Sequence, residues 1–170
     1  MIQNMKIRPE NPGDIEAISR ITELAFRTVP HSQQTEHFIV DALRRSGALT
    51  VSLVAEADSQ VVGHIAFSPI EMSDGSKDWY TLGPVSVTPD LQKQGIGSAL
   101  INAGLEVLRS LGAQGCVLVG EPAFYGRFGF KSRPDCTMEG VPQEYVQSLT
   151  LGMHAATGNI TIHPAFWVKG

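Results

Sequence analysis

Leu82-Gly83-Pro84-Val85-Ser86-Val87-Thr88-Pro89, and two residues later Gln92-Lys93-Gln94-Gly95-Ile96-Gly97-Ser98, is the stretch on which the reading of the chain turns. Its first half has the β-rich character of a central strand. Pro84, however, has no N–H to give to a ladder. That strand is therefore expected to be bulged or splayed from a neighbour, leaving backbone groups free to bind something extended. An edge strand that tolerates a proline would look the same. The second half is a loop turning into a helix. Ile96, Ala99, Leu100, Ala103, Val107 and Leu111 fall on one helical face, and Gly112 ends it. The first amides of such a helix have no partner inside it. Gly95 and Gly97 put no Cβ in front of them, and the helix dipole favours negative charge, so the loop is expected to cradle a phosphate. A helix start that merely turns tightly would carry the same two glycines.

Working outward, the order of elements is mixed. Met5 to Arg8 reads as a strand, and Asn11-Pro12-Gly13-Asp14 as a helix start with Asn as cap and Pro at the first helical position. Ile15, Ile18, Ile21, Thr22, Ala25 and Phe26 then repeat at helical spacing. A second helix is predicted from Thr35 to Arg45, with Phe38, Ile39, Ala42 and Leu43 inward and Gly47 as its stop. Thr50 to Glu56 and Val61 to Phe67 form a hairpin around Ala57-Asp58-Ser59-Gln60, and a further strand spans Tyr80 to Val87. Cys116-Val117-Leu118-Val119 is the apolar run of a central strand. It completes a strand–helix–strand unit with an expected right-handed crossover. A short helix near Pro122 to Phe128 follows, then strands near Ser148 to Met153 and Asn159 to His163. The expected fold class is α/β in the broad sense: a mixed, mostly antiparallel sheet with one parallel βαβ crossover and a splayed middle strand.

The 170 residues carry no repeat, low-complexity tract or linker-like shift, so residues 1–170 are expected to form a single domain. Hydrophobic residues at 42% and charged residues at 18% suit a globular core. No run approaches the roughly 18 apolar residues of a membrane helix, and Met1 to Lys6 lacks the apolar centre of a signal peptide. A cytoplasmic protein with no membrane partner is expected. A net charge of −4 argues against nucleic acid as partner. It also means that any polyanionic ligand must be drawn by a local device such as the glycine turn. Cys116 and Cys136 make neither a disulfide framework nor a metal cluster, so two reduced thiols and no metal are expected.

Other phosphate binders fit the loop poorly. A Walker-type loop needs Lys and then Ser or Thr directly after its second glycine, where this chain has Ser98-Ala99. A dinucleotide fingerprint needs a third glycine at the position of Leu100, in the first of two βαβ units.

The combination Leu-Gly-Pro-Val-x-Val-x-Pro, Gln-x-x-Gly-Ile-Gly and Tyr125-Gly126-Arg127-Phe128-Gly129-Phe130 resembles the GNAT family of N-acetyltransferases. The segment His163 to Phe166 is similar to the ending of a bacterial subgroup of small members. The motifs cover Leu82 to Phe130, and the order of elements agrees with the family fold over nearly the whole chain. The resemblance implies acetyl-coenzyme A as co-substrate and an amine as acceptor, joined directly in a ternary complex. It places the pantetheine arm on the backbone of Val85, Ser86 and Val87, and the pyrophosphate on the amides of Gln94, Gly95, Ile96, Gly97 and Ser98. Gln92 and Lys93 would border the nucleotide end; Gln92 stands where the family often has Arg and keeps the polar contact without the charge. Tyr125 matches the tyrosine that faces the coenzyme sulfur and acts as general acid. Arg127 would anchor its helix or the coenzyme. A homodimer is compatible with the resemblance.

An alkylamine with a pKa near 10.4 is mostly protonated at pH 7, and forcing its neutral form costs roughly 4–5 kcal/mol. A general base, often acting through water, can meet that demand. Glu71, Glu121 and His64 are the candidates on strands expected to line the cleft, with Glu36 and His163 as further options. Glu36 is also the candidate to bind the acceptor, because His31 to Leu43 lies where family members build that pocket. The alternative reading of the same fold is a non-catalytic coenzyme A sensor or interaction module, against which an acid at Tyr125 counts.

Overall fold

A computed structural model describes residues 4–170. Its main sheet has six strands in the order β1 (Lys6–Pro9), β2 (Val51–Ala57), β3 (Gln60–Pro69), β5 (Trp79–Val87), β6 (Gly115–Val119) and β8 (Val146–Thr150). Every pairing is antiparallel except β5 with β6, the expected crossover. Helix α3 (Ile96–Ser110) makes that crossover and covers one face of the sheet. Helices α1 (Ile15–Phe26) and α2 (Glu36–Arg45) cover the other, where Ile18 and Val40 close on Val54. A small second sheet, in the order β4 (Glu71–Met72), β9 (Gly158–Thr161), β7 (Cys136–Thr137), packs around Trp79. Its parallel β7–β9 pair had no counterpart in the sequence reading. Among the described residues no helix is long and apolar enough to cross a membrane.

Local chemistry explains the element ends. Asn11 accepts from the Gly13 amide, and Asp14 accepts in return from the Asn11 amide, a complete capping box ahead of α1. Asp58 and Ser59, both at positive φ, form the two-residue turn between Ala57 and Gln60.

Three expectations need correction. On α3 the buried row is Ile96, Leu100, Ile101, Gly104, Leu105 and Leu108, whereas Leu111 is 57% exposed. Gly104 decides this rotation: a methyl group there would overlap the ring of Phe67, so the helix settles on the sheet along its glycine. On α2 the buried residues are His37, Ile39, Val40 and Leu43, because the helix packs on α1 at one edge and on the Ala165 turn at the other. Phe38 and Ala42 are half-buried. The last two strands begin and end earlier than the apolar pattern predicts, and β9 leaves the main sheet altogether.

His64, expected on the cleft as a candidate base, does not face it. In the register it stands opposite Ser86, whose neighbours Val85 and Val87 point to the other side. Its ring is fully buried, with Nε2 2.8 Å from Ser52 Oγ and 4.0 Å from Glu10 Oε1. Ser52 gives its one proton to Glu10, so Nε2–H is the donor to Ser52 Oγ. Burial is the main influence and holds the His64 pKa at about 4, with Arg44 adding repulsion and Glu10 opposing. Since the folded value lies below the unfolded 6.5, stability is full above pH 6.5 and is lost as pH falls toward 4. At 1.36 kcal/mol per unit the loss sums to about 3 kcal/mol. Glu10 acts in the same direction: burial pushes its pKa up, but its bonds from Arg44 and Ser52 outweigh that and hold it below its ordinary value. Denaturant unfolding at pH 7 and pH 4.5 is expected to show that drop; equal stability at both would contradict a buried neutral His64.

Candidate active site

β5 pairs with β6 only through Trp79↔Gly115, Tyr80↔Cys116 and Thr81↔Val117. Beyond Thr81 the strands diverge. On its other side β5 carries a bulge: Phe67 pairs with Leu82 and Ile65 with Val85, so Gly83 and Pro84 oppose Ala66. Pro84 thus sits where the missing N–H is harmless, and the stretch from Leu82 to Val87 has one edge without a strand partner.

Three recesses follow that edge. The first, about 460 Å³, lies at the start of α3 between Lys93, Gly95, Gly97, Ser98, Phe124 and Arg127. The α3 ladder opens with the Ala99 amide donating to the Gly95 carbonyl at 3.0 Å, so the amides before it point out of the helix end. Gly95 takes φ +90, the left-handed conformation that glycine favours, and the first turn holds no acidic residue. Lys93 and Arg127 are the charged residues of the lining, both positive, which supplies the local attraction that a net charge of −4 requires. Arg127 donates to Ser98 Oγ at 3.0 Å and lies 4.8 Å from the centre of the Phe124 ring. Gln92 lines the recess and donates to the Val87 carbonyl at 3.0 Å. Gln94 is exposed and lines none of the three recesses.

The middle recess, about 280 Å³, shares Val87, Gln92, Gly97 and Phe124 with the first and Phe26 and Val85 with the third. The third, about 340 Å³, lies where β5 and β6 part and is reached by Glu36, Tyr125 and Phe166. Val119, expected in the core, is 50% exposed because β6 ends at this opening.

Tyr125 is half-buried, edge-on to Phe124 at 4.9 Å and to Phe130 at 6.3 Å. Burial raises its pKa above 10, so the phenol keeps its proton at neutral pH. The ring lies against Gly120, where an added Cβ would stand 2.5 Å from ring carbon Cε2. Only the position of the Tyr125 ring makes this glycine meaningful, so the sequence reading missed it. Gly120→Ala is expected to push the ring aside and cut turnover about tenfold, with coenzyme affinity nearly unchanged, as paired kinetics and calorimetry would measure.

The candidate bases fare unevenly. Glu71 is exposed on β4 in the small sheet, and Glu121, also exposed, precedes α4 (Pro122–Tyr125); neither lines the recesses. His163 is occupied as a cap, its Nδ1 accepting from the Ala165 amide at 3.0 Å. Glu36 is the carboxylate that the third recess contains. Both cysteines are buried free thiols that burial makes harder to ionise.

The model of the acetyltransferase (GNAT) family matches residues 15–130, which takes in the glycine turn, the diverging strands and Tyr125. The chain belongs to the GNAT family. A GNAT acetyltransferase from Brucella melitensis, solved in complex with acetyl-CoA, has a TM-score of 0.86 and 50% identity, with 96% of this chain and 98% of that one covered. The YhbS N-acetyltransferase of Escherichia coli, solved in complex with CoA, has a TM-score of 0.84 and 31% identity over 98% of this chain and 93% of that one. In sequence, the uncharacterized N-acetyltransferase YhbS of Escherichia coli K12 is 35% identical over 128 residues, 75% of this chain and 74% of its own.

Proposed function

We propose that this GNAT protein transfers an acetyl group from acetyl-coenzyme A to a primary amine by direct attack in a ternary complex. The observation that carries the reading is the row of joined recesses along the unpaired edge of β5, running from the cationic glycine turn to Tyr125. A long ligand with a polyanionic end, an arm rich in amides and a reactive tip fits that row in one orientation. Lys93, Arg127 and the amides of Gly95 to Ser98 would hold the phosphates. The free edge from Leu82 to Val87 would take the arm. The glycines leave the turn open for this: only Val87 Cγ2, at 3.9 Å, comes near a Cβ built at Gly97. When bound, acetyl-coenzyme A supplies the acyl group as a thioester.

The chain's own residues then manage protons. The amine must first shed one, and Glu36 is the carboxylate placed to accept it. As nitrogen bonds to the acyl carbon, the C–S bond breaks and its electron pair stays on sulfur. Tyr125 gives the sulfur its proton and recovers one from the nitrogen, so one proton per turnover leaves to water. Cys116 is sealed in the core, so no cysteine acyl-enzyme is required. Amine-dependent release of free coenzyme A thiol, preceded by calorimetric titration of acetyl-coenzyme A with NAD as control, tests the proposal. Selective binding followed by amine-dependent release is expected; NAD binding in preference to acetyl-coenzyme A would overturn it.

A further inference from the structure

The third recess is chemically lopsided. Its walls are Phe26, Ile39, Val119, Met138, Ile162 and Phe166, and against them stands a single carboxylate, Glu36. Apart from the phenol of Tyr125, Glu36 is the titratable group of the lining, and no cation among the described residues pairs with it.

Glu36 is also held in place. Ser32 Oγ lies 2.7 Å from Oε1 and 2.9 Å from Oε2. A hydroxyl has one proton, so it satisfies one oxygen and leaves the other free to accept. Ser32 is itself fixed by the Gln34 amide, which donates to Oγ at 2.9 Å, and the Gln34 side chain donates to the Phe26 carbonyl at 2.7 Å. The loop between α1 and α2 is thereby stitched to the end of α1, and the carboxylate is oriented before any ligand arrives. Glu36 is the first residue of α2, so its carboxylate lies at the helix end where the dipole is positive.

We infer that Glu36 and the apolar wall select the acceptor: a monoamine whose single ammonium is joined to an aromatic or aliphatic body, with Glu36 binding the ammonium beside Tyr125. This rests on the acetyltransferase reading above. With the edge of β5 taken by the coenzyme arm, a polyamine or amino sugar would bring further charges or hydroxyls against walls whose remaining polar side chains, Glu36 aside, are Thr81 and Tyr125, and each unpaired polar group carries a desolvation cost. An apolar body gains instead, in proportion to the area it covers.

The test compares 2-phenylethylamine and hexylamine with spermidine as acceptors for the wild type, Glu36→Gln and Ser32→Ala. Wild type is expected to use the two monoamines with at least tenfold higher kcat/KM than spermidine. Glu36→Gln keeps the shape and removes the charge; it should raise the KM for monoamines about tenfold to a hundredfold, the range for a hydrogen bond to a charged group, and also lower kcat, since glutamine cannot accept the amine's proton. Ser32→Ala, which leaves the carboxylate in place but less fixed, should raise that KM by a smaller factor. Acetyl-coenzyme A affinity, read by calorimetry on the same proteins, should stay within twofold. Spermidine used as well as the monoamines, no acetylation of either monoamine, or an unchanged KM in Glu36→Gln would overturn the inference while normal acetyl-coenzyme A binding leaves the broader reading standing. Loss of acetyl-coenzyme A binding by the wild type itself would overturn both.

Discussion

Gly97→Glu is expected to abolish acetyl-coenzyme A binding, weakening it at least a hundredfold and beyond the range of ordinary calorimetry. The new side chain would stand in the first recess and set a carboxylate where the phosphates must come. Two features separate this loss from misfolding. The built Cβ meets only Val87 Cγ2, at an unstrained 3.9 Å, so the backbone accepts a side chain there. A carboxylate in the first turn of a helix is also favourable for the helix itself. Circular dichroism and the thermal midpoint should therefore match the wild type. Gly95 would be a poor choice for this experiment, because its φ of +90 makes any substitution a test of backbone strain. Retained affinity in Gly97→Glu would mean that the phosphates bind elsewhere.

Tyr125→Phe is expected to lower kcat about a hundredfold or more, within the usual range for loss of a general acid. Acetyl-coenzyme A affinity should change little, because phenylalanine keeps the edge-on contacts with Phe124 and Phe130. The raised pKa of the phenol adds a second signature. Wild-type turnover should show no loss from tyrosine ionisation below about pH 10, the ordinary value. Steady-state kinetics of both proteins across neutral and alkaline pH would decide. Equal turnover would remove Tyr125 from the chemistry and leave it a packing residue.

The parts of this architecture that could be read in advance are those fixed by local chemistry. Asn11 with Pro12 specifies a helix start, Gly95 and Gly97 mark the helix end that opens onto the first recess, and Pro84 within a β-rich run requires a break in pairing. Each acts through its own backbone. What escaped depends on partners far away in sequence. Helix α3 offers two apolar stripes of similar strength, and the choice between them is made by Phe67 lying against Gly104. His64 appears in an alternating strand, but which face it takes is set by its register with Ser86. Gly120 gains meaning only from the ring of Tyr125. Strand position gave no guide among the candidate bases for the same reason: Glu71 and Glu121 lie outside the recesses, whereas Glu36, named as a further option, reaches the third one from a loop-and-helix edge.

The parting of β5 from β6 bears on cohesion as well as on binding. Past Thr81 the main sheet has a seam. On one side stand β1, β2, β3 and β5; on the other β6 and β8, with the small sheet beside them. Arg127, in the segment after β6, donates to Ser98 at the start of α3, near the open part of that seam. A ligand lying along it touches both banks at once. Its binding energy is then also energy that joins the two halves, and an occupied molecule is a more firmly closed body than an empty one by the ordinary law of mass action.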